Sequence, residues 1–194
     1  MTSPGMLATR PWKRVKWTRA GQLAALLDGA VELGELHERP PAEAFDALRQ
    51  SDNIQATRFV AQCLPRMDAV QWVAACLQRS GAPRKPVDAE ARGAVLRWAR
   101  DPSDKLRRAA FDVGEKAGWA SADGAACLAI FLSGGSMAPA EQEVPVNPAP
   151  GSFGQAVAGA VLIAALCDGP QNFETRLGAL LQLADAAAAG EPIA

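Results

Sequence analysis

Hydrophobic residues recur at helical spacing along most of the chain, and prolines, glycines and capping residues divide this pattern into segments. The clearest segment runs from residue 67 to 79, where Val70, Val73, Ala74 and Leu77 occupy positions i, i+3, i+4 and i+7. Comparable segments start near residues 18, 41, 53, 86, 102, 122, 154 and 170. The pattern therefore predicts about nine helices with short connections and no strand, an all-α fold.

Residues that commonly cap helices predict where several of these segments begin. We expect Thr18 to cap the first helix, Ser51 or Asp52 the third, and Asp101 or Ser103 the sixth, with Pro102 as its first residue. Ser121 and Ser152 are the expected caps before residues 122 and 154.

The segment from residue 154 to 167 is apolar on every side, which is typical of a helix at the centre of a fold. A weak sequence similarity between the segments around Trp72 and Trp98 leaves two packing arrangements open. One is ordinary orthogonal packing of a helical domain, and the other is a repeat-like, α-solenoid arrangement.

The composition supports helices and argues against histidine-based catalysis and metal sites. The chain has 41 Ala against 21 Val, Ile and Thr combined, and Ala is the best helix former. Its single histidine, His37, argues against histidine-based catalysis and metal sites, so we expect no catalytic residue, metal or cofactor. Four cysteines without a CxxC pair suit buried thiols in a reducing compartment, and the longest apolar run is about half a membrane span. We therefore predict a cytoplasmic protein.

The net charge of −1 conceals a basic first part and an acidic second part. Residues 1–19 form a basic N-terminal arm with Trp12 and Trp17 among its cations, followed by a single helical domain over residues 20–190. The arm can bind nucleic acid or an anionic membrane surface, or its tryptophans can pack back on the domain. We expect packing on the domain rather than nucleic-acid binding, because no basic stripe continues downstream.

A long Pro-rich loop, residues 134–151, interrupts the helices. Its first residues, within Ser133–Ser136, suit a helix stop better than a phosphate loop because no lysine follows them. We expect the loop to lie across the helices as a strap, because Met137, Val144 and Val146 favour burial. The alternative is presentation to a partner.

Three segments resemble an uncharacterised bacterial family, a domain of unknown function whose members are often encoded near type VI secretion genes. Residues 63–72 are similar to its LP-R-x-x-AV-x-W stretch, residues 131–139 to F-x-SGGS-x-AP, and residues 156–162 to AVAGAV. The family has no known activity. The resemblance implies an accessory or adaptor protein of a contractile secretion apparatus.

The function expected from these observations is non-enzymatic binding of a protein partner, either a component of the secretion apparatus or an effector. The alternatives are a small helical enzyme or toxin/immunity-related protein and, more weakly, nucleic-acid binding through the arm. A concave pocket gathering Arg66, Asp68 and the Gly134–Gly135 turn would favour an enzyme. The candidate partner-binding residues are Arg66, Asp68, Trp72, Ser133, Gly134, Gly135, Ser136, Met137 and Pro139. The sequence leaves the oligomeric state open.

Overall fold

Prolines or polar caps start most of the described helices, and glycines or extended residues end several of them. In the computed structural model, which describes residues 10–139 and 141–193, these ranges contain nine α-helices and no β-strand, so the all-α prediction is confirmed. The helices are α1 (Ala24–Leu27), α2 (Pro41–Ser51), α3 (Asn53–Cys63), α4 (Arg66–Arg79), α5 (Pro86–Arg100), α6 (Asp104–Ala117), α7 (Ala122–Leu132), α8 (Ser152–Ala165) and α9 (Phe173–Ala189).

Three of the expected caps are confirmed. The Asp52 carboxylate accepts hydrogen bonds from the backbone N–H groups of the next helix at Ile54 and Gln55. The Ser103 and Ser121 hydroxyls likewise accept hydrogen bonds from backbone N–H groups in the first turns of α6 and α7. These bonds satisfy donors that a helix start otherwise leaves without partners.

Three other expectations about helix starts are wrong. At the start of the first helical segment the N-cap is Arg19 rather than Thr18. The Gln22 side-chain oxygen accepts hydrogen bonds from the backbone N–H groups of both residues. Pro102 precedes the Ser103 cap of α6. Ser152 is the first residue of α8, and its hydroxyl donates to the carbonyl of Ala149.

The first helix is short. A 3₁₀ turn, Ala20–Leu23, leads into α1, which ends at Leu27 with Asp28 as its C-cap. Asp28 has a φ of +47° and Gly29 a φ of +72°. Two successive left-handed residues cannot continue a right-handed helix.

Helix α8 lies at the centre of the fold, as its apolar composition predicts. It packs against α3, α4, α7 and α9, and Val157 and Val161 are fully buried. The contacts of α8 with α3 and α4 join helices far apart in the sequence. In a solenoid each repeat contacts only its neighbours, so this packing favours an ordinary helical domain over the repeat-like alternative.

The described part of the basic arm, residues 10–19, packs back on the helices. The indole N–H of Trp12 donates to Asp185 at 2.7 Å, and its ring lies 5.1 Å from that of Phe45. The backbone N–H of Arg14 donates to the carbonyl of Ala188 at 2.9 Å. Three arm cations also form ion pairs with carboxylates: Arg10 with Glu191, Arg14 with Asp68, and Arg19 with Glu38.

Within the described residues, no single helix has the length and apolar character needed to cross a membrane. Two segments, Ser152–Ala165 and Pro170–Ala189, are long and apolar enough for a membrane span only when they are taken together, and the chain bends by 108° between them.

Helices α6 and α7 approach each other closely at two glycines. A Cβ atom on Gly124 would lie 2.2 Å from the carbonyl oxygen of Gly118, and one on Gly114 would lie 2.6 Å from the Cβ of Cys127. Both distances are far inside van der Waals contact, and at Gly124 the obstacle is backbone. This close approach places the end of α7 beside α6, where the candidate site is built.

We expect Gly124→Ala to lower the free energy of unfolding by about 2 kcal/mol or more, because α7 must move away from the Gly118 carbonyl. Gly159→Ala on α8 is the matched control, since a Cβ there meets nothing within 4 Å. The control should be neutral or more stable by up to about 1 kcal/mol. Urea unfolding followed by circular dichroism compares the two, and equal effects would contradict the close approach.

Candidate partner-binding site

The turn at Ser133–Ser136 ends α7 and starts the long loop. Gly135 has a φ of +69°, in the left-handed region where a residue following a helix often lies. Ser133 is buried, whereas Gly135 is exposed. The predicted helix stop is therefore confirmed.

The buried guanidinium of Arg107 on α6 holds this turn. Arg107 is only 3% exposed, and it donates to the carbonyl oxygens of Phe131 at 2.7 Å and Ser136 at 2.8 Å, as well as to the Asp104 carboxylate at 2.8 Å. The same guanidinium lies 4.9 Å from the centre of the Phe131 ring. One side chain thus joins α6, the end of α7 and the far side of the turn.

Arg108 extends this network into the loop. It donates to the carbonyl of Ala138 at 2.7 Å and to that of Ser136 at 3.2 Å, and its Nε donates to Asp104 at 2.8 Å. Hydrogen bonds from Arg108 and then Arg107 lower the pKa of Asp104 below its ordinary value of 3.8. The carboxylate therefore stays ionised at neutral pH and orients both guanidinium groups.

The Ser136 hydroxyl closes the loop on itself. It accepts hydrogen bonds from the backbone N–H groups of Ala138 at 3.1 Å and Val146 at 3.0 Å, while the N–H of Met137 donates to the carbonyl of Val146 at 2.7 Å. These bonds join the two limbs of the loop to each other and hold residue 146 beside residues 136 and 137.

The valines of the loop remain exposed, so the expectation that they are buried under a strap is wrong. Val144 is 69% exposed and Val146 is 45% exposed; Pro139 is exposed as well, and Met137 is half-buried. The physical reason is that the hydrogen bonds of residue 146 fix the loop limbs to one another without covering its side chains. We call residues 139–150, of which residue 140 lies outside the described residues, the presented loop.

A pocket of about 710 Å³ lies beside the presented loop. Its walls include the exposed cations Lys16 and Arg66, the Gly134–Gly135 turn, and residues 147–150 of the loop. Arg14, which is ion-paired with Asp68, also lines it. None of the described residues lining the pocket is acidic.

Six of the predicted site residues do not line this pocket: Asp68, Trp72, Ser133, Ser136, Met137 and Pro139. Trp72 is fully buried, and its indole N–H donates to the carbonyl of Leu180 on α9 at 2.8 Å, so its prediction as a partner-binding surface residue is wrong. Asp68 is buried, pairs with Arg14 and lines a second pocket, of about 700 Å³, which Arg14 also borders. The spacing of Asp68 and Trp72 instead follows the inward face of α4.

Three of the four cysteines are buried. Burial raises the pKa of the Cys63 and Cys76 thiols and raises that of Cys127 to about 12, so these thiols stay protonated at neutral pH. No group of three or more His, Cys, Asp or Glu side chains among the described residues can hold a metal ion. Both hydrogen bonds that the Ser136 hydroxyl accepts come from the loop backbone.

Comparison with known proteins gives a family of unknown function. The family model that matches is described as a family of unknown function, DUF6931, and it covers residues 44–188, well over half of the chain. The chain belongs to DUF6931. No curated protein and no solved structure matches it.

The DUF6931 match places most of the site inside the family domain. Arg66, the Arg107 and Arg108 network, the turn and the presented loop all fall within residues 44–188. Arg14 and Lys16, which complete the pocket, lie before the matched range. The resemblance to a domain of unknown function is therefore confirmed.

Sequence reasoning missed the arginines that hold the turn. Arg107 and Arg108 stand on an amphipathic helix, where they resemble ordinary surface charges. One signal was available, because Asp104 precedes them by three and four residues and pairs with both. Their bonds to carbonyls 24 to 30 residues away depend on how α6 and α7 pack.

We expect Arg107→Met to lower the free energy of unfolding by about 2–4 kcal/mol, since it leaves the carbonyl of Phe131 without this donor and that of Ser136 with Arg108 alone. Lys105→Met is the control, because Lys105 is an exposed neighbour on the same helix. It should change stability by less than about 0.5 kcal/mol. Thermal and urea unfolding measure both, and a tolerated Arg107→Met would show that the network does not hold the turn.

Proposed function

We propose that the chain is a non-enzymatic accessory or adaptor protein that binds a protein partner through the presented loop. The observation that carries this proposal is the exposure of Val144 and Val146 in a loop fixed by hydrogen bonds at residues 136, 137 and 146. Exposed apolar side chains often mark a binding surface. A surface that is ordered beforehand loses less conformational entropy on binding.

The prolines of the loop support recognition by another protein. Pro139, Pro145, Pro148 and Pro150 restrict the backbone and favour extended conformations. Extended Pro-rich segments are recognised by grooves that accept their side chains and accessible carbonyls. The presented loop offers such a segment with valines on either side of Pro145.

The cellular setting of this proposal comes from the resemblance to a bacterial family encoded near type VI secretion genes. The partner is then a component of the secretion apparatus or an effector, met in the cytoplasm. Three buried free cysteines, Cys63, Cys76 and Cys127, support a reducing compartment.

The enzyme and nucleic-acid alternatives receive less support. The pocket gathers Arg66 with the Gly134–Gly135 turn but not Asp68, and its described lining contains no carboxylate to act as a general base. In the arm, Arg10, Arg14 and Arg19 form ion pairs with carboxylates. These pairs reduce the charge available to phosphates.

We expect the immobilised protein to capture the product of a neighbouring gene from a lysate of its own host. Val144→Asp should reduce that capture about tenfold or more, since it places a charge in the apolar contact. Leu166→Asp is the matched control, because Leu166 is also an exposed apolar residue, 46% exposed, outside the loop. It should capture as much as the unmodified protein.

Quantitative mass spectrometry of the captured proteins provides the readout. Failure of the unmodified protein to capture any neighbouring gene product would contradict the proposal. Equal capture by Val144→Asp would show that the presented loop is not the contact.

A further inference from the structure

The pocket beside the presented loop carries positive charge that nothing in the described chain neutralises. Arg66 is exposed and donates no hydrogen bond to any residue in the ranges 10–139 and 141–193. Lys16 forms no ion pair with a described carboxylate, and its ammonium lies 4.7 Å from the centre of the Trp17 ring. This differs from Arg10, Arg14 and Arg19 of the arm, each of which meets an acidic side chain.

The placement of Arg66 is also unfavourable for the helix that carries it. Arg66 is the first residue of α4, and the positive end of a helix dipole repels a cation. The acidic residue of that first turn, Asp68, is engaged by Arg14 with Nε–Oδ2 and Nη2–Oδ1 distances of 3.0 and 3.2 Å. A cation at this position is unfavourable, and no hydrogen bond or ion pair with a described residue compensates for it, which is typical of functional residues.

Gly134 and Gly135 line the same pocket. Neither glycine amide donates a hydrogen bond within the described chain. A Cβ atom on Gly134 would lie 3.1 Å from an Arg66 nitrogen, so the guanidinium lies directly against the turn. Cationic side chains and backbone N–H groups together form an environment that favours an oxyanion.

The size and lining of the pocket favour a peptide over a single small anion. Its volume of about 710 Å³ is within the range of sites that hold drug-sized ligands, and Trp17, Leu26 and Phe153 add apolar surface to its walls. Residues 147–150 of the presented loop form part of one wall. A chain bound to the loop can therefore continue into the pocket.

From this charge complementarity we infer that the pocket binds an acidic segment of the protein partner, with Arg66, Lys16 and the Gly134 and Gly135 amides contacting its carboxylates. The inference rests on the proposed function, because the same partner contacts the presented loop. An apolar side chain next to the acid would lie against Trp17 and Phe153.

The test uses the full chain and a short peptide in which Glu alternates with Leu, titrated while ¹H–¹⁵N NMR follows the Gly134 and Gly135 amides. We expect both amides to shift with the peptide. The double variant Lys16→Gln/Arg66→Gln should weaken binding about tenfold or more, since it removes two charge-assisted contacts. The control variant Lys105→Gln/Lys116→Gln removes the same charge from exposed positions on α6 and should bind as the unmodified protein does.

Three results would overturn the inference. The first is equal binding of a matched peptide with Gln in place of Glu, or equal binding by the double variant. The second is a shift of the glycine amides with sodium phosphate but not with the Glu peptide, which would assign the pocket to a small anion. The third is a concentration-dependent dimer that the double variant abolishes, which would make a second copy of the chain the occupant.

Failure of the acidic-segment inference can be distinguished from failure of the proposed adaptor function. If the double variant still captures the partner while Val144→Asp does not, the presented loop alone makes the contact and the pocket has no part in it. If the peptide binds at Gly134 and Gly135 but no neighbouring gene product is captured, the acidic-ligand site stands and the adaptor function fails.

Discussion

Arg107 lies almost entirely out of solvent, and burial of a cation costs several kcal/mol unless the surrounding atoms replace its water. Here the replacement comes from the Asp104 carboxylate and the carbonyls of Phe131 and Ser136. These acceptors belong to α6, to α7 and to the turn that follows it. Satisfaction of one guanidinium therefore requires that all three segments keep their relative positions.

The presented loop and the pocket both depend on this arrangement. The carbonyl of Ser136 accepts hydrogen bonds from Arg107 and Arg108. The hydroxyl of the same residue accepts a hydrogen bond from the backbone N–H of Val146. The Gly134–Gly135 turn, held between Phe131 and Ser136, forms one side of the pocket with Arg66. A contact inside the helical domain thus sets the shape of a surface outside it. The arm completes that surface, because Trp12 and Arg14 fix the position of Lys16 nearby.

The sequence predicted the all-α fold, three of the helix caps and the helix at the centre of the fold. Asp52, Ser103 and Ser121 cap helices because an N-cap bond joins residues that are close in the chain, and the all-apolar segment of α8 has to be buried. The candidate site was recovered only in part. Sequence reasoning placed Arg66 and the glycine turn together, but Asp68 and Trp72 face other parts of the molecule because the rotation of α4 against α9 decides their direction. The exposure of Val144 also depends on hydrogen bonds within the loop, which the pattern of hydrophobic residues does not predict.

The most direct test of the claim that the loop is a fixed surface is amide hydrogen exchange at single residues. The N–H groups of Met137 and Val146 are hydrogen-bonded, whereas that of Glu143 in the same loop donates to no described residue. We expect the first two to exchange much more slowly than Glu143, and to lose that protection in Arg107→Met. Exchange of Met137 and Val146 at the rate of Glu143 in the unmodified protein would contradict the account.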